Sequence, residues 1–163
     1  MPAGDIEILK NVIYAINKFT DDFIVLSTHD DVDILLPKIY KFKVKSFLER
    51  YGFKSTTLNN IECLYDAEPV ISYYDDNGCH IDIHTGLNYT SLDKKYLVPI
   101  NNEFLEYVYF KKIQTNDMWK YNLSVESDIV HTVCRIIFDK GYLVNVFHAI
   151  FSPGTILPDG GPA

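Results

Sequence analysis

The stretch "PVISYYDDNGCHIDIHTG", residues 69–86, constrains this chain most. Asn77-Gly78 is the pair favoured in a two-residue type I′ turn, whose two central positions both take positive φ. The flanking runs are rich in β-branched and aromatic residues, so the pattern predicts an antiparallel hairpin. A two-residue turn would set Asp75 opposite His80, Tyr73 opposite Asp82 and Ile71 opposite His84. "HIDIH" alternates strictly. Ile81 and Ile83 therefore point to a core, and His80, Asp82 and His84 share the opposite face.

A second strand pattern lies upstream in "FIVLSTHDDVDILLP", residues 23–37. Its two apolar runs are separated by Ser27 to Asp30, which predicts another antiparallel hairpin, ended by Pro37. On the second strand Asp31 and Asp33 share a face, with Cα atoms roughly 6.5 Å apart from the rise per residue. Carboxylates so spaced can converge on one divalent ion or straddle two, and such hard oxygen donors suit Mg²⁺ or Mn²⁺. A strand leaving a solvated turn would carry the same residues, so the D-x-D pattern alone leaves both readings open. An acid on a neighbouring strand, Asp82, could complete a three-carboxylate site of the kind that serves phosphoryl transfer. His80, Asp82 and His84 alone would spread too far along one strand to hold a single transition-metal ion easily.

Around these strands the periodicity predicts helices over "GDIEILKNVIYAINKFTDD", with Asp5 near its start, and over "KIYKFKVKSFLERYG", with Gly52 as the residue past the end. "FKSTTLNNIECLYDAE" reads as short strand pieces, and "LNYTSLDKKYLVPIN" as loop with one strand at most. "NEFLEYVYFKKIQ" fits helix or strand. "SVESDIVHTVCRIIFDKG" fits a helix with Ser124 as N-cap, Lys140 in its last turn and Gly141 beyond. A further helix is expected over "YLVNVFHAIF", followed by a flexible tail over 152–163. The fold class is α+β: a small, mixed, mostly antiparallel sheet with helices on one side, then a helical C-terminal part. The expected organisation is a single domain over 1–151, with a core over about 5–87 and the helical part over about 100–151.

Composition narrows function by exclusion. The 22 acids outweigh 15 Lys plus Arg, for a net charge of −7, and no basic stripe is present, so duplex nucleic acid is not an expected partner. No apolar run reaches membrane-span length, and "MPAGDIEILKN" lacks a signal-peptide pattern, so no membrane association is expected. Cys63, Cys79 and Cys134 form no C-x-x-C pair. Reduced thiols and a cytoplasmic location are expected. Lys38, Lys41, Lys43 and Lys45 read first as a solvated helix face, His131 and Arg135 as surface or polar-core residues sharing a helix face, and Trp119 as packing. Cys134 reads as an inert buried thiol, and one of Tyr73 and Tyr74 should be core.

The order helix, strand, "DVDILLP", helix ending in "FLERYGF", then hairpin ending in "HIDIH" resembles the nucleotidyltransferase superfamily with the polymerase-β-like fold. It is closest in flavour to uncharacterised nucleotidyltransferase-like proteins with a D-x-D strand, a Gly-Phe after the next helix and a later acid-His strand. The resemblance covers about residues 5–87. It implies that Asp31 and Asp33 are metal ligands for Mg²⁺ or Mn²⁺. Asp82 would be the third acid and the general base on an acceptor hydroxyl. An NTP would be the donor substrate, and the acceptor is not indicated. Family members place Gly-Ser or Gly-Gly after the first strand to hold the triphosphate. Here that position reads "STHDD", leaving Ser27 and Thr28 as stand-ins, with His29 as one further donor. The resemblance therefore also admits a catalytically degenerate binding or regulatory module, and a metal-dependent phosphoesterase is a third possibility.

Overall fold

A computed structural model describes residues 3–28, 31–57, 61–117 and 119–139. In chain order its elements are α1 (Ala3–Asn17), β1 (Ile24–Ser27), β2 (Val32–Leu35), a 3₁₀ turn (Lys38–Tyr40), α2 (Lys41–Arg50), β3 (Lys54–Thr57), β4 (Glu62–Cys63), β5 (Ile71–Tyr74) and β6 (His80–His84). There follow β7 (Asn88–Thr90), β8 (Tyr96–Pro99), α3 (Asn102–Phe110), β9 (Ile113–Gln114), β10 (Tyr121–Asn122), α4 (Val125–Cys134) and a π-helical turn (Arg135–Asp139). The expected His29 donor, the Lys140-Gly141 helix end, the helix over "YLVNVFHAIF" and the 152–163 tail lie outside the described residues.

The architecture is α+β. Seven strands form a mixed sheet in the order β3-β5-β6-β2-β1-β10-β9, and β4-β8-β7 form a smaller one. Pairing is antiparallel except for β1 with β10, β2 with β6 and β4 with β8. The β1–β2 hairpin forms as the sequence predicts. β2 is the central strand. All four of its residues are buried, including Asp33, which is 7% exposed.

Strand alternation divides the large sheet into two faces. One face carries Val25, Val32, Ile34, Ile71, Tyr73, Ile81 and Ile83, and it packs on Leu9, Val12, Ile13 and Ile16 of α1 and Val44 and Leu48 of α2. The other carries Ile24 and Leu35, which pack on Leu87 just before β7, Tyr89 of β7, Val108 of α3, and Leu123 before α4. Helices thus cover both faces rather than the single side expected. The region after residue 100 is also not purely helical. β10 pairs in parallel with β1 and carries β9 with it, so this region extends the sheet.

α2 ends as its sequence requires. Gly52 has φ of +88°, its N–H donates to the Glu49 carbonyl, and the Phe53 N–H donates to the Leu48 carbonyl. This Schellman pattern needs a residue past the helix end that tolerates positive φ, and buried Leu48 and Phe53 close it from the apolar side. Ser124 caps α4 by accepting from the Ser127 N–H, and Asn101 caps α3 by accepting from the Phe104 N–H. That cap resolves the ambiguous "NEFLEYVYF" as helix. β7 and β8 make a hairpin where the sequence suggested loop with one strand at most.

The β5–β6 hairpin forms with a different turn from the one expected. Asp75 donates its N–H to the Cys79 carbonyl, Gly78 donates to the Asp75 carbonyl, and only Gly78 within the turn takes positive φ. The loop is therefore a three-residue type I turn closed by a left-handed glycine. The Asp75 carboxylate holds it by accepting from the N–H groups of Asn77 and Cys79. The register moves by one: Tyr74 faces His80, Ser72 faces Asp82 and Ile71 faces Ile83. That side-chain bond outweighs the Asn-Gly preference for a tighter turn.

Candidate functional site

Parallel pairing of β2 with β6 sets Asp33 opposite Asp82. Antiparallel neighbours complete the row, because Ser27 of β1 faces Asp33 and Ser72 of β5 faces Asp82. The row Ser27-Asp33-Asp82-Ser72 thus crosses four strands on the face opposite α1 and α2. Ser27 reaches it through a register irregularity in β1. Ile24 and Val25 pair with Leu35 and Ile34, and the ladder then skips Leu26. Such bulges commonly re-aim a side chain beside a functional site. The corrected β5–β6 register puts Ser72, rather than Tyr73, beside Asp82. Tyr73 goes to the core, and Tyr74 stacks on His80 with ring centroids 4.2 Å apart.

The acids are not left unpaired. His84 Nε2 lies 3.0 Å from Asp33 Oδ1, and His80 Nε2 lies 2.8 Å from Asp82 Oδ1. The other ring nitrogen of His80 is 3.5 Å from Asp31 Oδ2. Two sets of potential ligands result, Asp31-His80-Asp82 and Asp33-Asp82-His84. In each, one donor atom per residue lies within 4.8 Å of the others. The cluster can therefore hold a metal ion. Asp82 belongs to both sets, and each histidine joins a different one. Along β6 alone, His80, Asp82 and His84 spread too far for one ion. Pairing with β2 supplies the missing carboxylates.

Electrostatics separates the acids. Burial raises the Asp31 carboxyl above its ordinary value, helped by the charges of Asp33 and Asp82 and opposed by His80. Burial also works against the Asp33 charge, but the hydrogen bond and charge of His84, with the charge of Arg135, outweigh it and leave that carboxyl below its ordinary value. His131 is 8% exposed, and burial together with the Arg135 charge pushes it down to about 4. It is a neutral imidazole at neutral pH, with Nδ1 2.8 Å from the Tyr89 hydroxyl.

Asp31, Asp33, Asp82 and Ser27 line one cavity of about 760 Å³, within the range of small-molecule sites. Thr28 is exposed and lies outside it, in a neighbouring cleft with Asp117 and Trp119. The cavity also takes Ser72, His84, Lys94, His131 and Arg135. Of these, Ser72 and Lys94 were not singled out from the sequence. Their only signal was placement, which depended on the β5 register and on an unforeseen β7–β8 turn. His131 and Arg135 were noticed as sharing a helix face, and the fold aims that face into the cavity. No family model, curated protein or solved structure matches this chain.

The other sequence candidates lie elsewhere. Glu68 engages Lys38 and Lys41 at 2.6 Å each, and Lys45 lies 3.7 Å from Glu49, so these lysines belong to a paired helix surface. Trp119 packs against the larger core. Cys79 is buried, Cys63 is exposed, and half-buried Cys134 packs against the smaller core. Among the described residues, no helix is long and apolar enough to cross a membrane.

Proposed function

We propose that the chain is a metal-dependent nucleotidyltransferase, using Asp31, Asp33 and Asp82 with Mg²⁺ or Mn²⁺ to move a nucleoside monophosphate from an NTP to an acceptor hydroxyl. The observation that carries this reading is the sharing of Asp82 between two adjacent ligand sets on one sheet face. Shared carboxylates are how two ions are kept close enough to act on one phosphate. When bound, the ions would neutralise charge developing on the phosphoryl oxygens. The remaining tasks fall to the chain. Asp82, which His80 contacts at 2.8 Å, would accept the acceptor's proton. Ser27 and Ser72 flank the acids and can orient oxygen atoms by hydrogen bonding.

The donor set tilts the ion preference. Carboxylates alone would suit Mg²⁺, whereas two imidazoles favour an ion that tolerates nitrogen, hence Mn²⁺ over Mg²⁺. Ion and proton compete for the same histidine nitrogens, so affinity should rise with pH. The alternative, a catalytically inactive binding module on the same scaffold, draws on one observation: no glycine lies between β1 and β2 to wrap a triphosphate.

The test is a thermal-shift titration with Mn²⁺, then with Mn²⁺ plus each NTP, on the native protein and Asp82→Asn. A ligand bound only by the native state at 100-fold its Kd adds about 2.7 kcal/mol. The expected result is a Mn²⁺ shift in the native protein that Asp82→Asn abolishes, with pyrophosphate released when NTP and acceptor are present. An equal Mn²⁺ shift in both proteins would remove Asp82 as the shared ligand. Nucleotide binding without pyrophosphate release across a panel of hydroxyl acceptors would favour the binding module.

A further inference from the structure

The cavity that holds the acids also holds a cation without a partner. Arg135 follows α4, one helical turn beyond His131, and its guanidinium has no hydrogen bond or ion pair among the described residues. It is close enough to Asp33 for its charge to lower that carboxyl, yet Asp33 pairs with His84 instead. A half-buried arginine facing three carboxylates would be expected to pair with one, since bidentate pairing is what its planar fork does best. Here the fork is left open.

The surroundings hold it in that state. His131 is neutral and fixed by Tyr89, so it neither pairs with Arg135 nor adds a second charge. On the far side, Lys94 donates to the Phe138 carbonyl, binding the π-helical turn that bears Arg135 to the β7–β8 turn. Lys94 adopts φ of +59°, a conformation that costs a non-glycine residue energy and persists only where neighbouring structure enforces it. Lys94 thus acts as a positioning residue, and it also brings a second positive charge to the cavity wall.

We propose that Arg135 grips the non-reacting phosphates of a polyphosphate-bearing substrate, while the phosphate that reacts lies at the carboxylate–histidine cluster. The proposal rests on the metal-site reading for the second half of that sentence and stands on Arg135 for the first. The chemistry is complementary. An anion between the cluster and Arg135 would take up the open fork, and bound cations would remove the repulsion between that anion and the three acids. It would also supply, from the C-terminal part of the fold, the phosphate contacts that the glycine-free β1–β2 turn does not offer.

Binding of inorganic tripolyphosphate, measured by calorimetry with and without Mn²⁺, tests this on the full chain in native, Arg135→Gln and Arg135→Lys forms. The expected result is at least a ten-fold loss of tripolyphosphate affinity in Arg135→Gln, partial recovery in Arg135→Lys, and Mn²⁺ affinity equal to or tighter than native in both. Equal tripolyphosphate affinity in native and Arg135→Gln would overturn the proposal, and so would a native protein that binds Mn²⁺ but not tripolyphosphate. A native protein that fails to bind Mn²⁺ would overturn the metal reading instead. The metal-free titration then judges Arg135 by the same ten-fold criterion, and absence of binding there overturns this proposal too. Melting curves confirm that each variant is folded, and Arg135→Lys keeps the charge should Arg135→Gln fail to fold.

Discussion

The two faces of the large sheet use the same strands in opposite ways. On β2 and β6 the residues Val32, Ile34, Ile81 and Ile83 point to α1 and α2, while Asp33, Asp82 and His84 line the cavity on the opposite face, which also carries His80. Burial is complete on the first face and, Asp33 apart, partial on the second. On the helix-covered face it stabilises through dispersion and the loss of apolar surface from water. On the cavity face it opposes the charge of Asp33, which the hydrogen bond and charge of His84 sustain. The first face can hold the fold together without any ligand. The second spends part of that stability on keeping three acids within reach of one another. The variants below separate the faces, beginning with the largest expected effect.

Ile34→Ala removes a fully buried side chain from the helix-covered face. Such truncations cost about 2–5 kcal/mol, because the lost transfer energy is joined by a residual cavity. Denaturant melts should show that loss, with Mn²⁺ affinity preserved in the folded fraction. A cost under about 1 kcal/mol would mean that this face repacks freely and is not the mechanical base of the site.

His131 sharpens the comparison through pH. Its folded value of about 4 lies below the ordinary 6.5, so between these limits the unfolded chain binds more protons than the folded one. Stability therefore rises with pH across that window, and it is lost as pH falls from 6.5 toward 4, by about 3 kcal/mol in total. His131→Gln retains a group able to bond with the Tyr89 hydroxyl and removes the titration. The stability of the native protein relative to the variant should be constant above pH 7 and fall steadily below 6.5. A difference independent of pH would mean that His131 is solvated and that the cavity is wetter than its burial implies.

The helix-covered face was the more legible in sequence, for a physical reason. Apolar periodicity in α1, alternation in "HIDIH" and the Gly52 helix end are local signals, and each gave the right element. Cavity-face geometry depends on register and on strand neighbours, which are not local. "DDNGC" shows the problem. Asn77-Gly78 favours a two-residue turn, but Asp75 bonding to the N–H groups of Asn77 and Cys79 selects a longer one and shifts every cross-strand pair by one. The acids themselves were legible as candidates, since two strand-spaced aspartates and an aspartate between histidines stand out. Their division into two sets was not, because it needs the parallel β2–β6 pairing that joins residues about fifty positions apart. Arg135 and Lys94 were harder still. Their place in the cavity follows from how α4 and the β7–β8 turn cover the sheet, and no spacing along the chain encodes that.

The smallest effect is the one whose sign separates the faces most cleanly. Asp31 sits where burial and the charges of Asp33 and Asp82 raise its carboxyl above the ordinary value of 3.8. Between 3.8 and that raised value the folded chain holds more protons than the unfolded one, so this group lowers stability as pH rises and leaves a net cost at neutral pH. About a third of the side chain is exposed, so solvent screening keeps the cost below about 1 kcal/mol. Asp31→Asn should therefore raise the melting temperature of the metal-free protein at pH 7, by about 1–3 °C. In saturating Mn²⁺ the order should reverse, because the native cluster gains more from the ion than a cluster lacking one of its carboxylates. Melts in chelator and in Mn²⁺ settle both signs. If Asp31→Asn lowers the metal-free melting temperature, the contact with His80 outweighs the repulsion, and the two faces are stabilised by their own side chains alike.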